Sequence, residues 1–123
     1  MTDNNAGPHL HLRVVFGPGA MLGPGKARLL EAIRETGSIS AAGRSMNMSY
    51  KRAWMLVENL NATFREPLVD STRGGARGGG AVLTEAGETV LTHYRTLEAR
   101  AAEAGAGEMA SLASILKDGS EGE

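Results

Sequence analysis

Apolar positions along this 123-residue chain change period several times, and the changes mark out its elements. Leu10, Leu12, Val14 and Phe16 alternate with His11, Arg13 and Val15. That period of two predicts a half-buried strand over Leu10–Phe16. Gly17-Pro18-Gly19 and Gly23-Pro24-Gly25 then punctuate a loop. From Lys26 to Thr36 the period becomes helical, with Leu29, Leu30 and Ile33 on one stripe and Gly37 as the stop. Ser38 to Asn61 reads as two helices joined by a tight turn. Ser38 or Ser40 caps the first, since a serine hydroxyl accepts from an otherwise unpaired amide of the first turn. Ala41, Ala42 and Gly43 are small enough for a second helix to come close. Asn47 suits the left-handed backbone of such a turn. Met46 and Met48 flank it, pointing inward, and Ser49 caps the next helix. On that helix, 100° steps place Ala53, Leu56, Val57 and Leu60 on one face and Lys51, Met55 and Glu58 opposite. Arg52 and Trp54 lie on opposite flanks, and Tyr50, at the start, leans towards the core.

Two short apolar runs follow, Leu68-Val69-Asp70 and Ala81-Val82-Leu83, and both read as strands. Ser71 to Gly80 lies between them, rich in glycine and carrying Arg73 and Arg77. The unit is a hairpin with a flexible basic tip. Thr84 caps a long helix, Glu85 to about Ala104, with Glu85 and Glu88 at its positive end. Ala86, Val90, Leu91, Tyr94 and Leu97 form its apolar stripe, whose far part invites a second copy of the chain. Gly105 and Gly107 break the pattern. Glu108–Lys117 then offers Met109, Leu112, Ile115 and Leu116 on one side, and so short an amphipathic helix needs a partner surface. The predicted fold is mainly α with a small β-hairpin: a winged helix-turn-helix with an N-terminal strand and a long C-terminal dimerisation helix. Residues 1–8 form a disordered leader, 9–104 the DNA-binding and dimerisation domain, and 105–123 a short amphipathic helix with an acidic tail.

Composition narrows the chemistry. With 41% hydrophobic but only 4% aromatic residues, the core must be built from Leu, Val, Ile, Met and Ala. The absence of cysteine rules out disulfides and thiolate sites and fits the cytoplasm. No apolar run approaches the roughly 18 residues of a membrane span, and Met1–Pro8 lacks a signal-peptide pattern. Net charge is −1, yet it is unevenly spread. Arg44 to Arg77 holds six bases against three acids, whereas Glu85 to the end holds eight acids against three bases. A basic face can thus sit behind an acidic tail. A helix-turn-helix reads the major groove with the N-terminal residues of its second helix. Those are Ser49, Tyr50, Lys51 and Arg52, with Met55 on the same exposed face. Arg73 and Arg77 can reach the DNA backbone or minor groove, and Gly74, Gly75, Gly78, Gly79 and Gly80 let the wing run close to phosphates. A nucleotide-binding loop is excluded, because Gly79 is followed by Gly80 and Ala81 rather than by Lys and Ser or Thr. No carboxylate pair or nucleophile–base set points to an enzyme, and no cofactor is expected. His9 and His11 lack an acidic or thiol neighbour at metal-ligand spacing. They read as solvated histidines that chelate weakly if both face one side. Glu58 is placed to accept from a cytosine amino group or to pair with Arg52 or Lys51.

Gly37-Ser-Ile-Ser, Ser49-Tyr-Lys-Arg-Ala-Trp54 and Gly74-Gly-Ala-Arg-Gly-Gly-Gly-Ala-Val-Leu-Thr84 together resemble the N-terminal domain of the ModE-type molybdate-responsive transcription regulators. The likeness runs from about Leu10 to Leu97. A more distant likeness to LysR-type winged helices covers only the helix-turn-helix. The resemblance implies a homodimer on palindromic operator DNA, with the N-terminal strand and last helix taking part in dimerisation. It implies DNA contacts from Ser49, Tyr50, Lys51, Arg52, Arg73 and Arg77, with Trp54 packing beside the helix. ModE-type regulators also carry C-terminal oxyanion-binding modules. The residues after Gly105 are too few for one, so no molybdate site is expected in this chain. The rival reading is a winged-helix protein-interaction module that uses its C-terminal helices, since fold does not fix function.

Overall fold

The computed structural model describes residues 7–72 and 80–117. Its first elements are strands β1 (Val14–Gly17) and β2 (Ala20–Leu22), an antiparallel hairpin. The alternation over Leu10–Phe16 thus becomes a strand only from Val14, and part of the expected loop is its partner. The reason is local. Pro18 and Gly19 form a two-residue turn, with Gly19 at φ 72, and Pro followed by a positive-φ glycine is the type II signature. Phe16 is the extra residue where the register slips between Val15 and Gly17. It stays exposed, its ring edge-on to Phe64 at 5.5 Å between centroids. Residues 7–13 are not in a strand. They are held instead by Tyr94, whose hydroxyl donates to the Leu12 carbonyl at 2.7 Å.

Helix α1 (Pro24–Thr36) starts two residues before the expected Lys26. Pro24 takes the first turn, where its missing N–H leaves nothing unpaired. The helix ends at Gly37, φ 74, whose N–H donates to the Ile33 carbonyl at 2.8 Å. Ala27, Leu29, Leu30 and Ile33 are fully buried, which makes α1 the centre of the core. Lys26 is also buried; its ammonium donates to Met21 O and Asn59 Oδ1, and burial lowers its pKa.

Helices α2 (Ile39–Ser45) and α3 (Tyr50–Thr63) follow. The wing consists of β3 (Val69–Thr72) and β4 (Gly80–Leu83), paired antiparallel from Val69↔Leu83 to Thr72↔Gly80. The chain closes with α4 (Glu85–Ala104) and α5 (Ala106–Ser114). Two separate hairpins therefore accompany the helices, one more than the expected single wing. Arg95 locks α4 to α1 through both Glu31 oxygens at 2.9 Å and also binds Glu98 at 2.7 Å. The Glu31 bonds are the main reason its guanidinium is held more firmly protonated than usual. Arg34 on α1 meets Glu88 on α4 at 2.9 Å. Gly87 has no room for a side chain, because a Cβ would overlap the Leu68 carbonyl oxygen. Gly105 ends α4, as expected, but Gly107 lies inside α5, which begins before the expected Glu108 and ends at Ser114.

Candidate nucleic-acid interface

The helix-turn-helix is built from local signals that agree. Ser38 Oγ accepts from the Ala41 amide at 3.0 Å and starts α2; Ser40 is not the cap but accepts from Arg44 at 2.9 Å. The turn is closed by two amides, Met46 and Met48, that both donate to the Gly43 carbonyl. Asn47 takes φ 59, alone among the described non-glycine residues in having a positive φ. At Gly43 a Cβ would sit 3.0 Å from the Ala53 Cβ, so the glycine is what lets α2 and α3 approach. Met46 and Met48 pack against the core while remaining partly exposed. Ser49 Oγ then accepts from the Arg52 amide at 3.1 Å and starts α3.

On α3, Ala53, Val57 and Leu60 are buried and Leu56 half-buried, as the helical spacing requires. Ser49, Lys51, Arg52 and Glu58 are exposed. Met55 is 56% exposed. Tyr50 does not lean towards the core: it is 57% exposed, and its ring stands edge-on to Trp54 at 6.1 Å between centroids. Trp54 itself is half-buried. Lys51 and Arg52 form no ion pair among the described residues, and neither does Glu58. A polar crevice of about 90 Å³ lies between the start of α2, the start of α3 and the wing, lined by Ser38, Ser40, Tyr50, Trp54, Thr72 and Gly80 among others.

The wing is tied to this unit by bonds that spacing did not reveal. Asn61, in the last turn of α3, accepts from the amides of Leu68 at 2.7 Å and Val69 at 3.0 Å and donates to the Val69 carbonyl at 3.1 Å. Its side chain acts as a short extra strand for β3. The clue in the sequence is its register: Asn61 lies four residues after Val57, a polar group beside the core stripe. The Ala81 amide donates to the Gly37 carbonyl at 2.9 Å, fastening β4 to the α1–α2 junction. Gly80 is small for that reason; a Cβ there would lie 3.1 Å from Gly37 O. Thr84 caps α4 by accepting from Gly87 N and also donates to Pro67 O at 2.7 Å. Of the expected wing contacts, Arg73, Arg77, Gly74, Gly75, Gly78 and Gly79 lie outside the described residues.

A second surface is apolar. Val14, Phe16, Phe64, Val90, His93 and Leu97, with Leu22 and Tyr94 beneath, line a groove of about 260 Å³ between the first hairpin and α4. Burial, then the neighbouring Glu98, raises the Tyr94 pKa. No residue of α5 is buried; Leu112 on it is 60% exposed, and Ile115 and Leu116 just after it are 76% and 57% exposed. None of the described helices is long and apolar enough to cross a membrane. No group of three or more metal-binding side chains occurs among the described residues.

Several known proteins share this pattern. The chain is 48% identical over 81 residues to the molybdenum-pterin-binding protein MopB of Rhodobacter capsulatus, covering 66% of this chain and 30% of that protein. It is 42% identical over 80 residues to the molybdenum transport protein ModE of Azotobacter vinelandii, covering 65% and 30%. Against the transcriptional regulator ModE of Haemophilus influenzae the identity is 40% over 75 residues, covering 61% and 29%. The matched segment is thus less than a third of the length of these relatives. Among solved structures, the DNA-binding domain of CbnR in complex with DNA superimposes with a TM-score of 0.54. That likeness, at 23% identity over 71% of this chain and 94% of the other, concerns the fold alone. The model of the bacterial regulatory helix-turn-helix proteins of the lysR family matches residues 25–88, from the start of α1 into α4. The described helix-turn-helix and both wing strands fall inside that span, and the chain belongs to this family.

Proposed function

We propose that the chain is a sequence-specific, double-stranded-DNA-binding transcription regulator that acts as a homodimer on a palindromic operator. One observation carries this reading. The capped first turn of α3 projects Tyr50, Lys51 and Arg52 into solvent, with both cations unpaired among the described residues. In a helix-turn-helix, that turn is the part that meets base edges. Ser49, Tyr50 and Met55 supply polar and apolar contacts, and Lys51 and Arg52 reach guanine edges or phosphates. Arg73 and Arg77 would take the neighbouring backbone or minor groove from the wing. The helix-turn-helix family and relatives named as transcriptional regulators support the same reading.

The apolar groove beside α4 and the exposed face of α5 support self-association, since patches of this kind mark contact sites. A dyad would give two α3 helices, and their spacing would set the distance between operator half-sites. DNA as partner puts the working protein in the cytoplasm. No molybdenum ligand is assigned to the described residues.

Selection of bound sequences from a random duplex pool tests the proposal. The expected product is an inverted repeat with half-sites about one helical turn apart. Its affinity should fall on a log–log salt plot with a slope of about −0.9 per phosphate contacted. Recovery of no sequence at low salt would refute DNA binding. Recovery of a single, asymmetric half-site would refute the dimer while leaving DNA binding intact.

A further inference from the structure

We infer that His9 and His11 form a two-imidazole clamp for a divalent transition-metal ion. Their Nε2 atoms lie 3.1 Å apart, with ring centroids 5.0 Å apart and planes tilted by 41°. Two nitrogens each about 2.0–2.1 Å from one ion are about 2.9 Å apart at a right angle and about 3.3 Å apart at the tetrahedral angle. The observed distance falls between the two, so both rings reach one ion without moving far.

The other nitrogen of His9 fixes the tautomer. Nδ1 lies 2.9 Å from the Gly7 carbonyl, which can only accept. Nδ1 therefore carries the hydrogen, and the Nε2 lone pair faces His11. A metal-binding histidine is oriented in this way by a carbonyl behind it. Without an ion, His11 Nε2–H donates into that lone pair. With an ion, the His11 hydrogen moves to its own Nδ1 through solvent, and both Nε2 lone pairs bind the metal with no net proton release. Both rings are exposed, so an ion enters directly. No third metal-binding side chain joins them among the described residues, so solvent oxygens fill the other positions and the ion exchanges readily. Imidazole pairs suit Zn²⁺, Ni²⁺ and Cu²⁺, with Cu²⁺ bound most tightly. The clamp sits just before Leu12, whose carbonyl accepts from Tyr94, so chelation would stiffen the segment where it lies against α4.

The test uses the untagged full chain. Calorimetric titration with Zn²⁺ should show one ion per chain, and Cu²⁺ should bind more tightly. His9→Ala and His11→Ala should each weaken binding at least tenfold, whereas His93→Ala should not. Sub-stoichiometric Cu²⁺ should broaden backbone amide signals centred on Gly7 to Leu12. Both substituted residues are exposed and outside the core, so the variants should keep the circular dichroism of the parent. The inference is overturned if the double variant binds as tightly as the parent, if His93→Ala abolishes binding, or if broadening centres elsewhere.

Discussion

The helix-turn-helix and the α4–α5 end solve the same packing problem to different degrees. In α2 and α3 the apolar residues turn inward, the turn is closed by Gly43 and Asn47, and what remains outside is mostly polar or cationic. In α4 and α5 the first half packs on α1 through Leu91, Tyr94 and Arg95, but Leu97, Leu112, Ile115 and Leu116 stay in water. The first region needs no further protein and is ready for a polyanion. The second is unfinished and is suited to another apolar surface. On the proposed reading, binding and assembly lie in separate parts of the chain, and substitutions should separate them too.

The largest effect should come from the first region's core. Leu60→Ala removes a fully buried side chain and should cost about 2–5 kcal/mol in urea unfolding. A loss below about 1 kcal/mol would mean that α3 is not packed as described. Next, Asn61→Ala should cost about 2–3 kcal/mol, because it strands the Leu68 and Val69 amides. It should also weaken DNA binding, by loosening the wing. Lys51→Ala should reduce operator affinity by about 1–3 kcal/mol if the ammonium reads a base. Its stability should stay within about 0.5 kcal/mol of the parent. Equal losses on operator and random duplex would reassign Lys51 to a phosphate. Tyr94→Phe deletes only the bond to Leu12 O and should cost about 1 kcal/mol. Smallest in stability, Leu112→Ser on α5, where the side chain is 60% exposed, should change monomer unfolding by less than about 0.5 kcal/mol. It should nevertheless shift sedimentation towards monomer; unchanged self-association would take α5 out of the dimer.

The same two regions differ in how much of them could be read from residues. Local signals placed Asn47 at the turn and Ser49 at its cap and narrowed the first cap to Ser38 or Ser40, because a cap or a left-handed residue depends on its immediate neighbours. The limits of α4 and the inward face of α3 followed from helical spacing for the same reason. What was missed depends on partners far along the chain. The close approach of Gly80 to Gly37 and Tyr94 reaching Leu12 have no signature in any short window, and the register of Asn61 beside the core stripe marks a polar group there without naming Leu68 and Val69 as its partners. The N-terminal hairpin was misread for a related cause: the alternation before Val14 is real, but only the residues facing β2 find a strand partner. Tyr50 was turned the wrong way: as the first residue of α3 it is 57% exposed, its ring edge-on to Trp54. Arg73 and Arg77, which the sequence suggested for a DNA-reaching tip, lie outside the described residues.

The most direct measurement is amide hydrogen exchange of the full chain with and without its selected duplex. The account predicts added protection in Ser49 to Met55 and in the wing, with α5 unchanged between the free dimer and the complex. Protection gained in α5 while Ser49 to Met55 exchange as before would contradict it.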